Sequence, residues 1–525
     1  MIQVFIAGAL TGMPMKLGLI VAAFCLAAGY AVVTRHPSRL ISILLNAGSA
    51  LVAFLAVASF LAVGGRPWQP SFLNKHDTYH YYFGAKYSAE LGYDRLYHCT
   101  LIALDELSPR YHKGVLTLRS MSHYRHVDKS WYLERPDICK TRFSTERWER
   151  FKEDVFAYQR NYRPRWKAYL SDKGYNPTPA WTLLGRFVAE RVPLQPWQVF
   201  NWVGILDLLL LLGAFVLAFA AFGWPVAVVA LVFLCACFPL TLTFIRGSLL
   251  RLDWLAAMVA GVAMLAWKRY ALCGVFLGYA TMMRVFPVLF LFGPIVLGIA
   301  SLVRHRRVPK HTLALVLGFT LSCGALFGAS VALTGHRDGW QSWVSKISLH
   351  NADISTMRLG LGPLLMYRGE TQELDIRGPD GKGTFRGFFV PHKQAVVATM
   401  RPAHIGIALL VLGMLAAGLV RKPHSDLEAF GLSYAAVFVL VSPTFYYYCL
   451  LTPAVLALAA RSSHQRKLLL PLGMLCAAEL ANHVLHASFR FEYGRYSLMS
   501  IGLAAASLAA LVAVLVTPRT KNLGK

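Results

Sequence analysis

The stretch Lys75-His76-Asp77-Thr78-Tyr79-His80-Tyr81-Tyr82-Phe83-Gly84-Ala85-Lys86-Tyr87 concentrates side chains that can move protons. Wound as a helix, it places Asp77, His80, Tyr81 and Gly84 at i, i+3, i+4 and i+7, on one face. That face offers a carboxylate able to take a proton from a hydroxyl, with an imidazole beside it. The glycine leaves room next to both. Tyr79, Tyr82, Phe83 and Tyr87 fall on another face, which suits a membrane interface. Asp77 has a competing role as a helix N-cap, which aspartate fills well. Sequence alone leaves the two level.

Cations supply a second kind of chemistry. Arg246, Arg251 and Asp253 crowd into Phe244-Ile245-Arg246-Gly247-Ser248-Leu249-Leu250-Arg251-Leu252-Asp253-Trp254. One arginine can hold a phosphate while Asp253 orients it. The same residues could equally form a self-neutralising pair. Arg284, ahead of Pro287, and Lys346, His350 and Asn351 are further candidates for an anionic headgroup. Taken singly, each could simply snorkel to the lipid surface. Glu479, Asn482, His483 and His486 recur at i, i+3, i+4 and i+7 on an apolar helix. Such a stripe must line a cavity or pair with another helix. No clustered metal-ligand spacing, Gly-rich phosphate loop, internal repeat or low-complexity tract stands out.

The elements that must position these groups are membrane helices. The 525-residue chain is 56% hydrophobic and 15% charged. Soluble chains carry roughly 25% charged residues. Apolar runs able to cross a ~30 Å hydrocarbon layer recur from end to end. They lie near 16–33, 40–64, 199–222, 224–245, 252–267, 271–284, 287–303, 312–334, 402–420, 427–442, 445–460, 468–486 and 497–517. This predicts an all-α polytopic protein of about 11–13 transmembrane helices. The chain divides into membrane helices over 1–65, a large loop domain over 66–197, a membrane core over 198–334, a second loop over 335–401 and C-terminal membrane helices over 402–525. No cleavable-signal pattern precedes the first run.

The formal charge of +27 is mostly a statement about topology. Alternate connections carry Arg35, Arg39, Lys268, Arg269, Arg304, Arg306, Arg307, Lys310, Arg421, Lys422, Arg461, Arg466, Lys467, Arg519, Lys521 and Lys525, against only Asp426 and Glu428. Short basic connections mark the cytoplasmic side. That puts 66–197 and 335–401 outside the cytoplasm and makes nucleic acid an unneeded explanation. Residues 66–197 hold 22 Lys/Arg and 14 Asp/Glu, a net +8, and should fold into a mainly helical domain. Cys99 and Cys139 are the only cysteines outside the runs, and an oxidising compartment would let them pair.

With these residues in place, the chain resembles the GT-C superfamily of membrane glycosyltransferases. The nearest subgroup is that of bacterial polyprenol-phosphate-mannose-dependent mannosyltransferases. Asp77 stands where such enzymes carry an acid early in the first outer loop. Arg246-Gly247-Ser248 resembles their short outward turn, and Arg284-Val285-Phe286-Pro287 their Lys-x-x-Pro-like step. Ser442-Pro443-Thr444-Phe445 and Asn351 resemble later outer-face motifs. The resemblance implies an inverting sugar transfer from a polyprenyl-phosphate donor at the outer face of a bacterial inner membrane. Asp77 would be the general base. His80, Tyr81, Arg246, Arg251, Asp253, Arg284, Lys346, His350, Asn351, Glu479 and His483 would bind substrate. The acceptor would be a glycan, lipid or protein, and no metal would be obligatory, although Asp105-Glu106 leaves a divalent ion open. Two rival functions are a lipid or sugar-lipid flippase and a non-catalytic subunit of envelope assembly. Cysteine-accessibility labelling should report 304–310 from the cytoplasmic side and 66–197 from the opposite side. Labelling of both from one side would remove the basis of the topology.

Overall fold

The computed structural model describes residues 10–62, 72–241, 244–333 and 339–516. The N-terminal nine residues, positions 66–71 and 335–338 at the starts of the two loops, and Arg519, Lys521 and Lys525 lie outside the described residues. Among the described residues, eight helices are long and apolar enough to cross a membrane. They are Met13–Val33, Arg39–Ala62, Trp197–Ala236, Phe286–His305, Lys310–Leu333, Phe385–Arg421, Arg466–Ser488 and Glu492–Leu515. The chain is an all-α multi-pass membrane protein. The named strands form a single antiparallel hairpin, Thr117–Arg119 with His126–Asp128.

Several expected spans are shorter than a bilayer. Trp197–Ala236 is broken at Gly223, whose φ of 76° and ψ of 170° are not helical. Trp224-Pro225 follows, so the expected 199–222 and 224–245 runs are two arms of a hairpin, the second ending at Ala236. Asp253–Ala266 and Tyr270–Met283 have 14 residues each, and Leu451–Ser462 has 12. At 1.5 Å per residue these reach only about 18–21 Å. Extended backbone at Arg284 and 3-10 turns over Phe286–Leu291 and Phe445–Leu450 supply the remainder. Irregular backbone at such depth is tolerated where protein covers it or a cavity is lined by it. The opposite departure is Phe385–Arg421, where helix extends 17 residues back from the expected start at 402 into the second loop.

The large loop packs as a helical domain with an aromatic core. Tyr79, Tyr82, Phe83 and Tyr87 are fully buried rather than lying at a membrane interface. The cause is the helix Thr145–Tyr162, whose Phe151 and Tyr158 cover that face. A disulfide joins Cys99 to Cys139, with Cα atoms 5.5 Å apart. It ties the helix Leu96–Leu107 to the turn Asp137–Lys140.

The basic connections gather at one end of the bundle. Arg35 donates to the carbonyls of Ser463 and His464, Arg304 to that of Val420, and Lys422 to that of Leu515. Arg461 pairs with Glu428, 2.8 Å away. Arg284 and Asp253 lie at the other end of the helices that these connections join. Arg284 is placed there by a close backbone packing. A Cβ on Gly318 would lie 2.0 Å from the Ala271 carbonyl oxygen, and one on Gly274 would lie 2.1 Å from that of Leu315. Small residues let Tyr270–Met283 and Lys310–Leu333 touch main chain to main chain. Gly318→Leu should therefore destabilise the protein by about 3 kcal/mol, the upper end of overpacking costs. Gly324→Leu on the same helix has open space beside it and should leave the melting temperature in detergent unchanged.

Candidate functional site

Asn74 clamps the two sequence clusters together. Its backbone N–H donates to the Gly247 carbonyl (2.7 Å), and its amide Nδ2 to that of Phe244 (2.9 Å). Its Oδ1 accepts from the Asp77 N–H at 3.1 Å, so Asn74 is the N-cap of Lys75–Thr78. Asp77 is thereby free of the capping role. Gly247 is required at this contact: its φ is +68°, and a Cβ would lie 2.2 Å from the Phe72 carbonyl. Beyond Thr78 the helix widens into a π-turn over Tyr79–Phe83. Such insertions re-aim side chains and are frequent at functional sites.

The released carboxylate meets an arginine. Asp77 Oδ2 lies 2.7 Å from Arg251 Nε, and the two side chains are 16% and 3% exposed. Arg251 Nη1 donates to the Tyr81 hydroxyl, and Arg284 Nη2 donates to the same oxygen from 3.5 Å. The rings of Tyr81, Tyr446 and Tyr447 lie 4.1, 5.8 and 5.9 Å from the Arg251 guanidinium. Asp207 holds the backbone beneath, accepting from the N–H groups of Arg251 (2.8 Å) and Leu252 (3.0 Å).

These groups line a cavity of about 260 Å³. Its wall includes Asp77, His80, Tyr81, Arg251, Arg284, His350 and Asn351, so seven of the candidates from sequence come together. Asp172, Arg358, Ser442, Tyr446 and Tyr447 add to the polar lining. His80 is buried, and burial, then His76, pushes its pKa down to about 4. Burial and then Lys173 push His350 well below the ordinary imidazole range. Both rings are neutral at neutral pH, so they offer hydrogen bonds rather than charge.

The remaining candidates lie elsewhere. Arg246 turns from the cavity, donating to the Phe60 and Leu240 carbonyls with its guanidinium over the Phe60 ring. Asp253 accepts from the Tyr279 hydroxyl (2.8 Å), below the cavity wall. Glu479 accepts from the Phe238 N–H (2.8 Å), and a His483 ring nitrogen lies 2.9 Å from the Ala236 carbonyl. That polar stripe brackets the broken backbone after Ala236. Asp105 is engaged by His112, and Glu106 by Lys140, Lys152 and Trp148. Lys346 lines a separate cavity of about 520 Å³ with Tyr93, Asp94, Arg95 and Arg142.

Arg358 and Asp172 were not legible as site residues. Arg358 donates to the His350 carbonyl and to Asn351 Oδ1, and pairs across an antiparallel bridge with Thr444. A second, more apolar cavity of about 340 Å³ shares Asn351, Arg358 and Ser442 with the first. Leu365, Met366, Val397 and Met400 line it, the last two from the Phe385–Arg421 helix. Comparison of the chain with family models, curated proteins and solved structures gives no match.

Lys346 makes a checkable electrostatic statement. Its Nζ touches Met121 Sδ at 3.0 Å and lies 4.6 Å from the Tyr124 ring centroid. Burial pushes its pKa from 10.5 down to about 7. Between those values the unfolded chain holds a proton that the folded chain lacks, so this group makes stability rise with pH. Lys346→Met should flatten that rise between pH 7 and 10.5 and raise the melting temperature at neutral pH. An unchanged pH–stability profile would mean that the ammonium is not buried as described.

Proposed function

We propose that the protein transfers a sugar from a polyprenyl-phosphate donor to an acceptor hydroxyl at the extracytoplasmic face of a bacterial inner membrane. The resemblance to GT-C glycosyltransferases supplies the reaction class. The observation that carries the proposal is one juxtaposition. Two carboxylates, Asp77 and Asp172, and three arginines share a cavity whose rim is common with an apolar groove along a membrane-spanning helix. An amphipathic anionic lipid fits that pair of spaces. Its phosphate would lie among Arg251, Arg284 and Arg358, and its hydrocarbon along Leu365, Met366, Val397 and Met400. The polar cavity is small beside the ~300–1,000 Å³ of most ligand sites. It suits one sugar unit rather than an oligosaccharide.

In this reaction the acceptor oxygen attacks the anomeric carbon as the bond to the phosphate oxygen breaks. Asp77 takes the acceptor's proton, and the guanidinium groups stabilise the charge gathering on the departing phosphate. The neutral rings of His80 and His350 and the amide of Asn351 orient hydroxyl groups. The disulfide in the 66–197 domain supports an oxidising, extracytoplasmic location for that domain. Engagement of Glu479 and His483 with the backbone of 236–238 favours an enzyme over a transporter, because it gives the deep polar groups a structural partner.

Transfer can be followed with a radiolabelled polyprenyl-phosphate sugar, the class being chosen from glycolipids lost in a deletion strain. Asp77→Asn should lower turnover by at least ~10²-fold, the low end of a general base's contribution, without weakening donor binding. Arg284→Ala should weaken donor binding instead. Full turnover in Asp77→Asn would sink the catalytic assignment and favour a scaffold role.

A further inference from the structure

Asp77 is flanked by His76 and followed by His80, one helical turn later, and the loop after Trp166–Tyr169 brings Asp172 over both rings. Nε2 of His76 and Nε2 of His80 each lie 3.9 Å from Asp172 Oδ2. One ligand atom from each of the three residues lies within 4.8 Å of the other two. We propose that His76, His80 and Asp172 bind a divalent transition-metal ion, zinc being the ion that suits them, on the polar side of the Asp77 cavity.

The spacing favours an ion over a plain hydrogen-bonded cluster. A charge-assisted N–H···O contact closes to about 2.7–2.9 Å. Ligands around a tetrahedral zinc, with bonds of 2.0–2.2 Å, stand about 3.3–3.5 Å apart. The observed 3.9 Å is nearer the second arrangement, and neither imidazole hydrogen-bonds to Asp172. Ligation would close the two edges to Asp172 by a few tenths of an ångström, and the His76 and His80 ligand atoms stand within 4.8 Å of each other. The side chains of His76 and Asp172 are 42% and 46% exposed, the His76 ring resting against those of His80 and Tyr169, while His80, at 4%, is a fixed anchor.

His80 is also set in the tautomer that ligation needs. Its Nδ1 lies 2.8 Å from the His76 carbonyl and donates to it. Metal-ligating histidines are commonly oriented by such a bond from the other ring nitrogen. The Nε2 lone pair is then the free one, now accepting from the Tyr97 hydroxyl at 2.8 Å. Ligation exchanges that hydroxyl for the ion. Two imidazoles and a carboxylate leave a fourth position open, the pattern of catalytic rather than structural zinc. His80 and Asp172 line the same cavity as Asp77. A water or acceptor hydroxyl in the open position would become more acidic beside the carboxylate that receives its proton. This role rests on the glycosyl-transfer proposal; binding of the ion does not.

The test uses the full chain in detergent, purified without a polyhistidine tag, stripped with chelator and titrated with Co²⁺. One Co²⁺ per chain should bind, with visible d–d absorption, and Zn²⁺ should displace it. His76→Ala and Asp172→Asn change half-exposed side chains, and both should keep the wild-type melting temperature without metal. Each should lose more affinity than the ~10–100-fold that outer-shell changes cost. Absence of Co²⁺ and Zn²⁺ binding by the wild type would overturn the proposal. So would unchanged affinity in both variants, which would place the ion elsewhere. Neither measurement involves turnover, so a failed metal site and a failed transferase assignment are told apart.

Discussion

A guanidinium held almost out of water where membrane helices end is the constraint around which this structure is arranged. Burying a charge costs several kcal/mol unless it is paired and hydrogen-bonded. Arg251 meets that demand with Asp77, the Tyr81 hydroxyl and the faces of three tyrosines. Asp207 fixes its main chain from below. Those partners come from the first large loop, from the hairpin beginning at Leu206 and from the turn after Ser442. Satisfying one arginine therefore forces three distant segments to one point. Loss of Asp77 or Asp207 would leave a buried polar group unsatisfied rather than merely remove a contact.

Bringing those segments together determines where helices can stop. Asp253–Ala266 begins at the cavity, Tyr270–Met283 ends at it, and the turn Phe445–Leu450 faces it. A full-length helix at any of these places would fill the space with side chains. The shorter helices are tolerable because the bundle covers them. Asp253–Ala266 is buried along nearly all its length. The bundle's longer, lipid-facing helices, such as Arg39–Ala62 and Lys310–Leu333, supply the membrane-crossing length. Length at the perimeter and interruption at the centre are thus one design: the perimeter faces hydrocarbon, and the centre holds a chamber with a charged lining.

The sequence made some of this legible, for physical reasons that differ by residue. Cys99 and Cys139 could be matched because every other cysteine falls in an apolar run. The perimeter helices were legible because lipid demands uninterrupted hydrophobicity. Asp77 was ambiguous because a helix-start aspartate serves as cap or as free acid. Asn74, three residues ahead and the stronger claimant to the cap, is the signal that separates the two. The aromatic face of Tyr79, Tyr82, Phe83 and Tyr87 suits an interface and a domain core equally, and Thr145–Tyr162 decides between them. Arg246 and Arg251 stand five residues apart in one loop yet point to different places, because the positive φ at Gly247 reverses the chain between them. Arg358 and Asp172 lie in polar loops without periodicity. Their importance arises only when Ser442–Phe445 and the His76–His80 turn come alongside. The proposed metal ligands were invisible for the same reason: His76 and His80 are local, but Asp172 is distant in the chain.

The charge inventory of the cavity bears on what it can hold. Its charged lining is Arg251, Arg284 and Arg358 against Asp77 and Asp172, three positive groups less two negative ones, a surplus of one positive charge. The imidazoles add none, since burial keeps both neutral. A sugar phosphodiester carries one negative charge and would balance the chamber. It would also compete for Arg251, because a phosphate oxygen can take the position that Asp77 Oδ2 now fills. On the transferase proposal, that exchange has a catalytic use. A donor that draws the guanidinium toward its phosphate would loosen the pair and free the Asp77 carboxylate only when substrate is present. After transfer, the departing phosphate monoester would carry more charge than the diester did and would be held more tightly by the same arginines. Release would follow once Asp77 passes its proton to solvent and its carboxylate can pair with Arg251 again. On that proposal the Asp77–Arg251 ion pair is the state to which the cycle returns.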